Sequence, residues 1–109
     1  MTRSSTAALV CVLALVLGGA ASGTAAAATR HTVVIGAVKY EPEKLTVNRG
    51  DTVIWVNKDP FPHTVTARGA FDSHIIPAGK SWKYTALRAG EYSYACIFHP
   101  NMKGTLTVK

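Results

Sequence analysis

Cys96, His99 and Met102 stand at intervals of three in the stretch CIFHPNM, close to the C-terminus of a 109-residue chain. A thiol, an imidazole and a thioether at that spacing can meet one metal ion only if the segment curls. Extended, it would spread Cys96 and His99 by about 10 Å. Pro100 favours the curl, because it biases His99 towards extended backbone angles and cannot continue a ladder. Gly104 then releases the chain into a last strand. Three ligands leave an ion undercoordinated, and the fourth candidate is His63 in DPFPHTV. Pro60 and Pro62 stiffen the loop around that imidazole and reduce the entropy lost when it is held in place.

The donor set His63, Cys96, His99 and Met102 is soft to intermediate. Two imidazoles, one thiolate and a weak axial thioether are the ligands of blue-copper electron-transfer sites. Zinc also accepts His and Cys, but its structural sites usually carry two or more thiolates and make little use of thioether. A Cys/His nucleophilic pair is a further reading, although no residue stands out to orient the histidine or to build an oxyanion hole. In the plainest reading Cys96 is core filler, since free cysteine is among the most buried residue types.

The elements that must position these residues read as strands. HTVVIGAVKY and KLTV come first, and the turn NRGD (Asn48 to Asp51) separates KLTV from TVIWVN. HTVTA, the turn-rich RGAFDSHIIPAGK, SWKYTAL, YSYAC and GTLTVK follow. Short β-prone runs at such regular spacing predict an all-β sandwich or barrel. No window shows helical periodicity over three turns. In EYSYAC, Tyr92, Tyr94 and Cys96 share one strand face, which puts the thiol at the end of an aromatic row.

The chain opens on MTRSSTAALVCVLALVLGGAASGTAAAATR. A basic residue, an apolar run from Ala7 to Leu17 and small residues up to Ala28 form the pattern of a secretory signal peptide. The apolar run is short for a membrane span, which needs about 20 residues. The expected division is a cleaved leader at 1–28 and a single domain at 29–109, with no membrane span after cleavage. Export to the periplasm, the cell envelope or the medium follows. Cys11 falls inside the leader, so Cys96 is left without an internal disulfide partner and calls for another role. The formal charge of +6 at pH 7 suits an acidic partner or surface. The basic residues are scattered singly, which argues against nucleic acid. Cleavage after Ala28 would also leave His31 third from a new terminus, Thr29-Arg30-His31. An amine, two backbone amides and an imidazole there could wrap Cu(II) in a square plane.

The segments TVVIGAVKYEPEKLTVNRGDTVIWVNKDPFPHTV and AGEYSYACIFHPNMKGTLTV, with FDS and IPAGKSW between them, resemble the cupredoxins, in particular the amicyanin and plastocyanin branch. The short Cys96–His99–Met102 loop is more similar to amicyanin. The resemblance implies a Greek-key sandwich of about seven to eight strands and one type 1 copper ion, Cu(I)/Cu(II). It implies His63, Cys96 and His99 as strong ligands and Met102 as the weak axial one. It implies a monomeric carrier of single electrons rather than an enzyme. A redox protein donor and acceptor would dock near His99, in a ring that includes Pro60, Phe61 and Pro100, with Lys58 and Lys103 steering. The alternative use of the same ligands is copper scavenging or delivery in the envelope. On a turn, His99 is expected to leave Cu(I) in acid more readily than Cu(II), which would raise the potential as pH falls. Two residues depart from the family pattern. Thr64 stands where Asn often follows the first histidine, and its hydroxyl could bond to the Cys96 loop in place of the amide. Phe98 stands where Pro is common.

Overall fold

The structure, a computed structural model, describes residues 27–109. All but the end of the expected leader at 1–28 therefore lies outside the described residues. Among the described residues nine strands run in chain order: β1 Arg30–Gly36, β2 Lys39–Glu41, β3 Lys44–Val47, β4 Thr52–Asn57, β5 Thr66–Ala67, β6 Phe71–Asp72, β7 Ser81–Thr85, β8 Gly90–Cys96 and β9 His99–Val108. They form a four-stranded sheet, β2-β1-β4-β7, and a five-stranded sheet, β3-β9-β8-β5-β6. Two pairs are parallel, β1 with β4 and β3 with β9. Among the described residues no helix is long and apolar enough to cross a membrane.

The expected all-β sandwich is present, with nine strands rather than seven or eight. One reason is that HTVVIGAVKY breaks into the β1–β2 hairpin, with Gly36 paired to Lys39. Its two-residue turn puts Ala37 at φ 52° and Val38 at φ 60°. Positive φ at both central positions is the type I′ pattern, which Asn-Gly supplies readily and Ala-Val resists. Each such residue costs on the order of 1–3 kcal/mol, so neighbouring structure has to enforce the turn.

Alternation decides which faces are inside. Val53, Trp55 and Asn57 are the buried residues of β4, and Val33 and Ile35 those of β1. Val65, Leu106, Val108 and Phe71 join them in one core. Burying each large aliphatic side chain contributes about 1.5–3 kcal/mol. Trp55 and Tyr94 tie the two sheets together: the Trp55 indole N–H donates to the Tyr94 hydroxyl at 3.3 Å, and the rings meet edge to face. Gly104 makes room for this arrangement, because a Cβ there would lie 2.4 Å from Cζ and the hydroxyl of Tyr94.

HTVTA is not the continuous strand its sequence suggests. Only Thr66 and Ala67 enter β5, and His63 makes an isolated bridge to Ile76. The donors that would extend the ladder go to side chains instead. The Thr64 N–H points at Cys96 Sγ and the Val65 N–H donates to Ser73 Oγ at 2.7 Å.

Candidate metal centre

Cys96 ends β8 and His99 begins β9, paired across a two-residue turn made of Ile97 and Phe98. The register then shifts: Ala95 faces Lys103, so Pro100, Asn101 and Met102 have no partners on β8. Pro100 was expected to stop the ladder and Gly104 to restart it. Instead β9 begins at His99 and takes in both. Proline's missing N–H matters little there, because Pro100 lies in the unpaired excursion. The excursion returns Met102 to the interior, where it is 3% exposed.

From the opposite side comes His63, fully buried and held by its bridge to Ile76. Its Nδ1 lies 3.6 Å from Cys96 Sγ, and Nδ1 of His99 lies 3.8 Å from the same sulfur. One ligand atom from each of His63, Cys96 and His99 falls within 4.8 Å of the others. An ion bonded to nitrogen at about 2.1 Å and to thiolate at about 2.3 Å, with angles between tetrahedral and trigonal, sets N and S about 3.6–3.8 Å apart. The two N···S distances therefore fit one shared first-row ion. Zinc would accept the same edges, so the chemistry of the donors has to choose between metals. One thiolate, two imidazoles and a buried thioether three residues beyond His99 fit copper.

Asp59 and Thr64 support this cluster. Asp59 Oδ2 lies 2.7 Å from Nε2 of His63. The same carboxylate accepts the N–H groups of Ala37 at 2.7 Å and Val38 at 2.9 Å. Burial works to raise the Asp59 pKa. The Val38 N–H, the His63 ring and the Ala37 N–H outweigh burial and hold the group below the ordinary carboxylate value. The Thr64 hydroxyl accepts the Ile97 N–H at 3.0 Å, which is the bond to the cysteine loop that its position suggested. Tyr40 donates to the Thr64 carbonyl at 2.5 Å, and burial pushes its hydroxyl far above the usual tyrosine range.

His99 is the half-buried member of the cluster, and exposed apolar side chains lie around it. Phe61 is 40% exposed, and its ring centre is 6.0 Å from that of His99. Phe98 at 45% and Ile97 at 62% extend the patch on the turn, and the expected Pro60 and Pro100 are exposed as well. Lys58 and Lys103 are exposed, and His74 is a surface residue beside Asp72.

The groups of the expected square-planar site at Thr29-Arg30-His31 have other partners in the 109-residue chain. Arg30 and His31 lie in the β1–β4 ladder, and the Thr29 N–H donates to Asp51 at 3.0 Å. The His31 Nε2 faces the same carboxylate at 3.0 Å. Sequence reasoning passed over Asp59, Asn57 and Tyr40. Asn57 donates to the carbonyls of Phe61 and Ile76 and accepts the Asp59 N–H, which shapes the loop before His63. An available signal was Asp59 itself, four residues before His63 and followed by a proline that turns the chain back.

A two-sheet sandwich with two imidazoles and a buried thiol converging at one end defines a class of metal-binding β-domain, and sequence comparison identifies it. The Cupredoxin-like domain family matches residues 7–108, and the chain belongs to that family. It is 34% identical over 83 residues to amicyanin from Paracoccus denitrificans, covering 71% of this chain and 63% of that protein. It is 37% identical over 109 residues to plastocyanin from Synechococcus, covering 81% of this chain and 80% of that protein. This chain thus spans somewhat under two thirds of the two amicyanins it matches. Among solved structures it is similar to the Cu(I) form of a methionine-to-alanine mutant of amicyanin. That similarity has a TM-score of 0.70 at 32% identity and covers 79% of this chain and 86% of the other.

Proposed function

We propose that this chain is a blue-copper electron carrier rather than an enzyme. His63, Cys96 and His99 would hold one copper ion strongly, and Met102 would be its weak fourth donor. The convergence of two Nδ1 atoms on one buried sulfur, at 3.6 and 3.8 Å, carries the reading. Bound copper supplies a one-electron change between Cu(I) and Cu(II). The protein holds the donors still, so that the change requires little rearrangement. Burial of His63, Cys96 and Met102 keeps water from three of the four donors. His99, with Phe61, Ile97 and Phe98 around it, is the edge through which an electron enters and leaves. An apolar rim of this kind suits contact with redox proteins, one donating and one accepting.

Residues 1–28 are proposed to direct export and to be removed. The domain 29–109 then works as a monomer in the periplasm, the envelope or the medium. The amicyanin and plastocyanin similarities support the assignment, and so does the leader pattern at 1–28.

Addition of Cu(II) to the purified protein tests the function. One equivalent should give an intense visible absorption from thiolate-to-copper charge transfer, and ascorbate should bleach it reversibly. A colourless complex would overturn the carrier and favour copper delivery or zinc.

A further inference from the structure

We propose that Asp59 is a positioning residue for the metal centre. Its carboxylate locks His63 with the proton on Nε2 and clamps the β1–β2 turn whose Val38 lines one depression with His99 and Met102. The inference rests on the copper-site reading above and adds a means of tuning that site.

An ionised carboxylate only accepts hydrogen bonds, so at 2.7 Å the His63 Nε2 must be the donor. Neutral His63 then has its lone pair on Nδ1, the atom that faces Cys96 Sγ at 3.6 Å. A carboxylate behind a ligating histidine sets the tautomer, orients the ring and raises its basicity. Asp59 is 7% exposed, so little water competes for it. Its own N–H donates to Asn57 Oδ1, and Asn57 is held by two carbonyls in turn. The carboxylate is therefore aimed from a fixed base.

The same two oxygens enforce the strained turn. Oδ1 takes the Ala37 N–H and Oδ2 takes the Val38 N–H, and both residues hold positive φ. Val38 lines one surface depression together with Phe98, His99, Pro100 and Met102. One carboxylate thus sets the angle of His63 and the wall beside Met102. Its negative charge, close to the metal and poorly screened, favours the more positive oxidation state.

Asp59→Asn separates positioning from simple turn capping. An amide has one accepting oxygen and cannot serve both the Ala37 N–H and the Val38–His63 pair. In the metal-free wild-type protein, long-range 1H–15N spectra should show neutral His63 protonated on Nε2. A proton on Nδ1 overturns the proposal, whether or not any variant folds. In D59N, Cu(II) affinity should fall 10- to 100-fold. Cu(I) affinity should fall less, and each tenfold of difference raises the reduction potential by about 59 mV. Lower stability of metal-free D59N with an unchanged Cu(II)/Cu(I) affinity ratio, absorption and tautomer would reduce Asp59 to a turn clamp and end the proposal. A wild-type protein that never develops colour would defeat the copper reading while leaving the tautomer result standing.

Discussion

The backbone N–H of Thr64 donates to Sγ of Cys96 across 3.4 Å, although the two residues are 32 positions apart in the chain. Its hydroxyl also accepts the N–H of Ile97 at 3.0 Å. The residue beside one imidazole therefore holds the thiol and the loop that carries it. Thr64→Val keeps the shape and loses the hydroxyl, so the Ile97 N–H loses its partner. Metal-free protein should lose about 1 kcal/mol in urea unfolding. Looser donation to sulfur leaves more charge on the thiolate and favours Cu(II), so the reduction potential should drop. Thr64→Ser should restore both values. Equal behaviour of the valine and serine variants would show that the hydroxyl has no part in holding the loop.

Gly104→Ala should destabilise the protein far more than an ordinary glycine replacement in a strand. The new Cβ would meet the Tyr94 ring at 2.4 Å and push its hydroxyl away from the Trp55 indole. Overpacking of this kind costs about 1–3 kcal/mol. Combining it with Tyr94→Leu should recover part of the loss, because the clashing ring is gone. Additive losses in the double variant would show that the close approach is not the cause.

The proposed ligand roles predict opposite outcomes for two buried residues. Cys96→Ser removes the thiolate and should abolish the intense visible absorption in copper-loaded protein. Met102→Leu nearly conserves volume, so stability should change by less than about 1.5 kcal/mol. It should keep the colour, because the strong donors remain, and should raise the potential, because the axial donor is gone. Loss of colour in the leucine variant would make Met102 a strong ligand instead.

Asp51 should set part of the acid limit. The Thr29 N–H, the His31 side chain and the Asn48 N–H bring its carboxyl down from 3.8 to about 2. The unfolded chain takes up this proton first. Its contribution to stability is therefore complete above about pH 4 and is lost as pH falls from about 4 to about 2. Asp51→Asn should flatten the unfolding midpoint in that window in metal-free protein. A midpoint with unchanged steepness would remove Asp51 from the acid transition.

Much of the fold was legible because strands announce themselves locally. The alternation Val53, Trp55, Asn57 in β4 and Tyr92, Tyr94, Cys96 in β8 follows from the period of two, and the burial pattern repeats it. The broken strand at HTVTA was not legible. Its N–H groups find partners at Cys96 and Ser73, which are distant in the chain, and no local pattern reports such bonds. The Ala37-Val38 turn was hidden for the same reason. Its residue types argue against it, and Asp59, more than twenty positions away, enforces it.

By itself, the sequence determined the chemistry on offer: one thiol, two imidazoles and a thioether in a β-rich chain, with Cys96, His99 and Met102 close enough along it to share a loop. Donor type is a property of single residues, so it can be read without coordinates. Only the tertiary structure decided that both Nδ1 atoms face the sulfur, that Met102 returns to the interior through an unpaired excursion, and that His99 alone of the four is partly open. Those are relations between the β8–β9 turn of one sheet and the loop that carries His63 from β4 of the other. They depend on how the sheets pack and on which distant carboxylate or hydroxyl takes up each buried N–H.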